Sequence, residues 1–269
     1  MSKVWINGSL QTHVTVNDRA FTYGDGLFET VRVRSSKPEL LDAHLKRLED
    51  GLIRLKYPRN VFTQLLAELE KITFSGDQVL KLIVSRGEGL RGYALPDKTD
   101  STRVIQLSEL SDYSCQHESG VAIRTCQYQM AINPALAGMK HLNRLEQVMA
   151  RSEWQDRAIA DGVVTDLDGF VVECTMSNIF WSDHQTVYTP ALKRCGVKGV
   201  MRDHVISKLA EQGLAVQEGN FTLADLKSAE EIFITNSLIQ VWPVIKYDDS
   251  ALDIGPVTRN LQKLLLQEC

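Results

Sequence analysis

Lys140 stands in the stretch Asn133-Pro-Ala-Leu-Ala-Gly-Met-Lys-His-Leu-Asn-Arg-Leu-Glu146, where it could do covalent chemistry. Pro134 and Gly138 punctuate a loop. Beyond His141, the residues Leu142, Leu145, Val148 and Met149 recur at helical spacing, so a helix reaching about residue 160 is expected. Lys140 then sits at a loop-to-helix junction. Positive charge is disfavoured at a helix N-terminus, so an amine there gives up its proton more easily. A neutral lysine is what Schiff-base formation requires. A solvated lysine beside a turn has the same spacing, so other residues must decide.

Several groups could serve such a lysine. Glu173 ends an apolar run that reads as a hairpin around Asp168-Gly169. A carboxylate on that run is costly unless paired; the alternative is a strand-end glutamate facing water. Arg47 lies beside the apolar stripe of a long helix, where it either snorkels or reaches an anion. Gly199 precedes a helix that opens with Val200 and Met201. Such a start offers N–H groups to a phosphate, and an ordinary helix start looks the same. Thr235-Asn236-Ser237 interrupts two strands and either adds phosphate donors or makes a turn. Arg86-Gly-Glu-Gly-Leu-Arg91-Gly-Tyr93 contains G-x-G-x-x-G after a strand, but no helix follows, which rules out the dinucleotide fingerprint. The loop's arginines and tyrosine suit either a wall that grips an anionic substrate or an exposed hairpin tip.

The elements that must position these residues mix hairpins and helices. A hairpin over 4–10 turns at Asn7-Gly8. A tight glycine loop over 18–26 leads to a strand over 28–33. A helix over 39–57 buries Leu40, Leu41, His44, Leu45, Leu48, Leu52, Ile53 and Leu55, and Pro58 stops it. A second helix covers 61–72, and strands cover 78–85 and 102–107. The polar, patternless stretch 108–120 marks a boundary, giving a smaller domain 1–114 and a larger one 115–269. Strands follow over 121–127, 187–190 and 214–217, then a short helix over 222–227 capped by Thr222. Strands flank Thr235–Ser237, and a helix over 256–268 closes the chain. The class is α+β in two domains.

Composition narrows the function. The 269 residues suffice for real cores, and 43% hydrophobic with 24% charged content is ordinary for a globular protein. A net charge of -4 with scattered Lys and Arg implies no nucleic-acid partner and no membrane patch. No apolar secretory run opens the sequence. The cysteines (Cys115, Cys126, Cys174, Cys195, Cys269) form no C-x-x-C, and a reducing cytoplasm fits. The histidines, at 13, 44, 117, 141, 184 and 204, have no metal-ligand spacing. There is no G-x-S-x-G elbow and no P-loop. A lysine, a strand-end glutamate, a helix-borne arginine and a helix N-terminus remain. Pyridoxal 5'-phosphate needs such parts: an imine-forming amine, a carboxylate for the pyridine nitrogen, and phosphate donors.

On these residues the chain resembles the aminodeoxychorismate lyase family, among the fold-type IV pyridoxal-phosphate enzymes that include D-amino acid and branched-chain aminotransferases. The resemblance covers essentially the whole chain. It is carried by Asp18 to Thr30, His44-Leu-Lys-Arg47-Leu, Ser85 to Tyr93, Gly138 to Glu146, Glu173 to Phe180, and Gly199-Val-Met-Arg202. It implies a two-domain D-amino acid aminotransferase-like fold. Lys140 would be the Schiff-base lysine and acid/base. Glu173 would meet the pyridine nitrogen, with Asn178 near the cofactor. Arg47, the amides of Val200 and Met201, and Ser237 would hold the phosphate. Arg91 and Tyr93 would bind the substrate, 4-amino-4-deoxychorismate, on its way to 4-aminobenzoate and pyruvate in folate synthesis. Leu145 stands where branched-chain aminotransferases have a tyrosine, which disfavours a transaminase. A D-amino acid or branched-chain transaminase and a non-catalytic binding protein remain the alternatives. A cytoplasmic homodimer is implied, with Trp5, Phe21 and Trp242 as apolar residues that could be exposed.

Overall fold

The computed structural model describes residues 2–89, 91–96, 100–183 and 186–267. Leu90 of the glycine loop, His184, Glu268 and Cys269 lie outside the described residues. The chain forms two units. One comprises the residues up to Ser111 together with Met139–Asn143; the other comprises Asp112–Gly138 and the residues from Arg144 onward. A single cut after residue 114 differs from this division, because the Lys140 segment belongs with the N-terminal residues.

In the first unit the order is β1 (Lys3–Ile6), β2 (Ser9–Leu10), α1 (Arg19–Tyr23), β3 (Gly26–Arg34), β4 (Lys37–Pro38), α2 (Leu41–Arg54), α3 (Asn60–Leu69), β5 (Gln78–Ser85) and β6 (Arg103–Glu109). The strands form one antiparallel sheet in the order β2-β1-β6-β5-β3-β4. Asn7 and Gly8 both have positive φ, as the tight β1–β2 turn requires. Alternate residues of β3 and β5 are buried: Leu27, Val31, Val33, Leu80, Leu82 and Val84. Helix α2 packs against β3 through His44, Leu48, Gly51 and Leu52. It is shorter than its apolar pattern. Leu40 is left-handed and precedes it, and Lys56, also left-handed, follows its end before Pro58 is reached. Ile53 is exposed, one step around the helix from the buried stripe. The glycine loop over 18–26 contains α1, capped by the Asp18 carboxylate and ended by left-handed Gly24.

In the second unit the order is α4 (Ser114–Ser119), β7 (Val121–Met130), α5 (Leu145–Arg151), β8 (Ile159–Asp166), β9 (Val171–Cys174), β10 (Asn178–Ser182), β11 (Thr186–Pro190), α6 (Val200–Glu211), β12 (Ala215–Gly219), α7 (Leu223–Lys227), β13 (Glu231–Asn236), β14 (Gln240–Tyr247), β15 (Ser250–Ala251) and α8 (Pro256–Gln267). A mixed sheet runs β12-β11-β10-β13-β14-β7-β8-β9, with β15 beside β14. Val163, Ile179, Trp181, Ile232, Ile234 and Val244 lie in its core. Trp242 lies there too, so it is no surface residue; Trp5 is half-buried and Phe21 is exposed. Helix α4 forms in the stretch read as patternless. Helix α5 ends at Arg151 rather than near residue 160. Leu145, Val148 and Met149 are exposed on it, and Ala150 is its buried residue. The helical spacing is real, but its apolar face is not the covered one. Thr222 caps α7 with a full capping box. No helix of the described residues is long and apolar enough to cross a membrane.

Candidate active site

Lys140 is placed by strand pairing, not by a helix end. Phe28 N donates to Lys140 O at 2.9 Å, and Leu142 N donates to Gly26 O at 2.9 Å. Residues 140–142 thereby extend the sheet along the edge of β3, with Leu27 opposite His141. Glycines permit this approach. A Cβ on Gly26 would meet Val84 O at 2.5 Å and Leu142 Cδ1 at 2.6 Å. A Cβ on Gly24 would meet Asn143 Oδ1 at 2.7 Å, and Asn143 Nδ2 donates to Gly24 O at 3.0 Å. The half-buried Lys140 Nζ stands 4.4 Å from the centre of the Phe28 ring. Helix α5 begins only at Leu145, so the expected helix-end effect on Lys140 is replaced by a sheet edge and an aromatic face.

Arg47 is held from the neighbouring residue of β3. Its Nε donates to Glu29 Oε1 at 2.8 Å and its Nη2 to Glu29 Oε2 at 2.5 Å. His44 Nδ1 lies 2.6 Å from the same Oε2. Burial pushes the Glu29 carboxyl up, but the Arg47 charge and the hydrogen bonds of His44 and Arg47 outweigh it, leaving the group below its ordinary value. Burial lowers His44, as do the charges of Arg47 and Lys140; the Glu29 hydrogen bond and charge oppose this without reversing it. His44 is then a neutral imidazole whose Nδ1–H donates to the carboxylate. Glu29 carries no catalytic motif of its own. Its alternation onto the α2 side of β3 was the one signal that could have found it.

In the second unit, Glu173 on β9 is buried and paired with Val164 on β8. Val197 N donates to Glu173 Oε2 at 2.9 Å. Asn178 Nδ2 donates to Val197 O at 2.9 Å and lies 3.5 Å from Glu173 Oε2. A water-facing glutamate is thereby excluded. Gly199, with no side chain to cap α6, lets Asn178 come close: a Cβ there would meet Asn178 Oδ1 at 2.1 Å. Val200 and Met201 open α6 directly after it. The structure thus gathers Glu173, Asn178 and the start of α6. Ser237 lies in the β13–β14 turn, which Asn236 closes by accepting from Leu238 N and Ile239 N. Asn236 Nδ2 also donates to Met176 O, in the turn joining β9 to β10. That turn is shaped by buried Asp161, whose carboxylate accepts from Thr175 Oγ1 and Ser177 Oγ, both at 2.6 Å. Asp161 escaped the sequence reading, as did Arg144, whose half-buried guanidinium feels the Glu173 charge.

The profile of the class IV amino-transferases matches residues 26–247. The chain belongs to this family. A relative of this class IV chain, aminodeoxychorismate lyase of Vibrio harveyi, is 39% identical over 96% of this chain and 97% of its own. The D-alanine aminotransferase of Bacillus licheniformis is 29% identical over 98% of this chain and 95% of its own. The crystal structure of 4-amino-4-deoxychorismate lyase from Pseudomonas aeruginosa superposes with a TM-score of 0.92 at 40% identity, covering 98% of each chain. The branched-chain aminotransferase of Escherichia coli, at 21% identity, shares the fold with a TM-score of 0.87, over 98% of this chain and 93% of its own. The fold is the two-unit aminotransferase-like architecture of fold-type IV.

The glycine loop of this class IV chain divides its arginines. Arg86 is buried: its Nε donates to Asp25 Oδ2 at 2.8 Å, its Nη2 to Leu55 O at 2.7 Å, and its guanidinium covers Tyr57. It braces the first unit and cannot serve as a wall toward a substrate. Arg91 and Tyr93 are exposed. Arg19 Nη1 donates to Gly92 O at 3.1 Å, and Gly92 N donates to the Tyr23 hydroxyl at 3.2 Å. Tyr23 meets Tyr93 edge to face at 5.4 Å. Among the described residues, no cluster of His, Cys, Asp and Glu is placed to hold a metal ion.

Proposed function

We propose that the chain is a 4-amino-4-deoxychorismate lyase that uses pyridoxal 5'-phosphate to form 4-aminobenzoate and pyruvate. The observation that carries this is near-full-length likeness to aminodeoxychorismate lyases at 39% and 40% identity, against 29% for the D-alanine aminotransferase. The residues present suit the cofactor. Glu173 offers a buried carboxylate for a pyridine nitrogen. Gly199 lets the Asn178 amide pack where a Cβ would stand, and the start of α6 directly after it offers N–H groups to a phosphate. Arg47 arrives already oriented by Glu29. Val200, Met201, Asn178 and Ser237 complete the proposed cofactor contacts.

When bound, pyridoxal phosphate supplies an electron sink for the carbon that loses a proton. Lys140 would hold the cofactor covalently, and its free amine is the base for the ring proton beside the substrate nitrogen. The bond to the enolpyruvyl oxygen breaks, and Lys140 returns a proton to the methylene carbon, giving pyruvate. Aromatisation of the ring drives the step. The base must be neutral to act, and its Nζ lies against the face of the Phe28 ring. Arg91 and Tyr93 are proposed substrate contacts on the glycine loop.

The enzyme is proposed to be a cytoplasmic homodimer; the exposed Phe21, Leu145, Val148 and Met149 favour a second copy. Sedimentation tests this, and a monomer at working concentration would remove it. The activity is tested by incubating cofactor-loaded protein with 4-amino-4-deoxychorismate and no keto-acid acceptor. Stoichiometric pyruvate and 4-aminobenzoate support the lyase. Turnover that requires an acceptor would instead identify a transaminase.

A further inference from the structure

The cap of α1 holds more than a helix. An N-cap needs one side-chain oxygen, and serine or asparagine supplies it as well as aspartate does. Asp18 Oδ1 accepts from Ala20 N at 2.7 Å. The same Oδ1 accepts from the Ser85 hydroxyl at 2.6 Å, and Oδ2 accepts from the Thr102 hydroxyl at 2.7 Å. Asp18 is only 2% exposed, a costly place for a carboxylate unless its oxygens are hydrogen-bonded. Ser85 is the last residue of β5, and Thr102 directly precedes β6. The carboxylate therefore spans both feet of the glycine loop, where Ser85 N also donates to Thr102 O at 2.9 Å.

The outgoing side of the loop is held from the same place. Ser85 Oγ, while donating to Asp18, accepts from Gly87 N at 2.9 Å. Arg19 N donates to Gly87 O at 2.9 Å and Gly89 N to Asn17 O at 3.4 Å, so Asp18 and Glu88 form an antiparallel bridge. The two sides pass closely: a Cβ on Gly87, whose φ is +85°, would meet Asp100 O at 2.1 Å. On the returning side, Arg103 Nη1 donates to Ser101 O at 2.8 Å, and its Nη2 donates to Glu68 Oε1 at 2.8 Å. Beyond this narrow mouth stand the exposed Arg91 and Tyr93.

We infer that Asp18 is a positioning residue for substrate binding: its carboxylate pins both feet of the glycine loop and so sets where Arg91 and Tyr93 meet the substrate. The inference rests on the lyase reading for the substrate and for the role of those two residues. A carboxylate suits the task because it offers about four acceptor sites. One group can then serve a helix and two strand ends together. Losing it frees the loop to wander, and small displacements of a gripping group weaken the hold on a substrate.

The test uses the cofactor-loaded protein. Trypsin cleavage after Arg91, followed by mass spectrometry, reads the loop, and turnover of 4-amino-4-deoxychorismate reads the substrate. Asp18→Ala should raise both the cleavage rate and KM about tenfold, with kcat held within about twofold. The visible absorbance of the loaded protein should not change. Thr102→Val, which removes one hydroxyl and keeps the shape, should raise both by less, and it provides a second reading if Asp18→Ala folds poorly. Asp18→Asn should restore most of both values, since its carbonyl oxygen still accepts from Ala20 N and Ser85 and its amide can donate to Thr102 Oγ1. Unchanged cleavage and KM in Asp18→Ala, or a fall in kcat and thermal midpoint without a rise in KM, overturns the clamp and leaves the lyase reading standing. A native protein that releases no pyruvate overturns the lyase reading and the substrate role with it, while the cleavage rates still decide the clamp.

Discussion

Glu29 grips Arg47 through both carboxylate oxygens, at 2.8 and 2.5 Å, while its own side chain is almost wholly buried. Such a fork fixes the plane of the guanidinium as well as its position. Removing the carboxylate takes both Glu29 hydrogen bonds from the Arg47 guanidinium and takes the Nδ1 contact to Glu29 from His44. Glu29→Ala should destabilise the cofactor-free protein by about 3 kcal/mol, read from urea unfolding. It should also weaken pyridoxal phosphate uptake, read by titration. Native-like cofactor affinity in that variant would separate the fork from the phosphate.

Acid should unfold the protein partly through the same pair. Glu29 and His44 both titrate below their ordinary values of 4.5 and 6.5 in the folded chain. The unfolded chain therefore binds more protons than the folded one below those values. The stabilisation from His44 is complete above pH 6.5 and declines as pH falls below it; that from Glu29 declines below 4.5. Urea midpoints should fall on acidification from neutrality, and His44→Gln should flatten the first part of that fall. An unchanged slope in the variant would place the titration elsewhere.

Lys140→Ala should abolish both the visible absorbance of cofactor-loaded protein and pyruvate release. Stability should change little, since the backbone bonds of residue 140 to β3 persist. Full turnover in this variant would end the proposed role of the amine.

Gly199→Ala places a Cβ 2.1 Å from Asn178 Oδ1, so the amide must move. Its bond to Val197 O and its approach to Glu173 move with it. Cofactor affinity should drop by about tenfold or more, in line with the loss of a buried hydrogen bond. Adding Asn178→Ala should recover stability by removing the collision, but not affinity. Recovery of both would mean that Asn178 has no part in holding the cofactor.

Where the governing interactions are local, the sequence sufficed. Asn7-Gly8 dictates a tight turn because its residues accept positive φ. Thr222 and Asp225 cap α7 because both partners lie within one turn. The strand read over 78–85 matches β5 to the residue. The Lys140, Arg47, Glu173 and Gly199 motifs carried the family resemblance, because they hold unusual residue types at set spacings. Tertiary structure decided which polar groups meet. Arg86 and Arg91 sit in one short loop, yet only Asp25, Leu55 and Tyr57, distant in sequence, bury the first and leave the second exposed. The apolar spacing after Lys140 identified a helix but not its covered face, since that depends on what packs there. Glu29 became legible only when β3 and α2 came together, because a carboxylate in an alternating strand has no meaning until its cation is beside it.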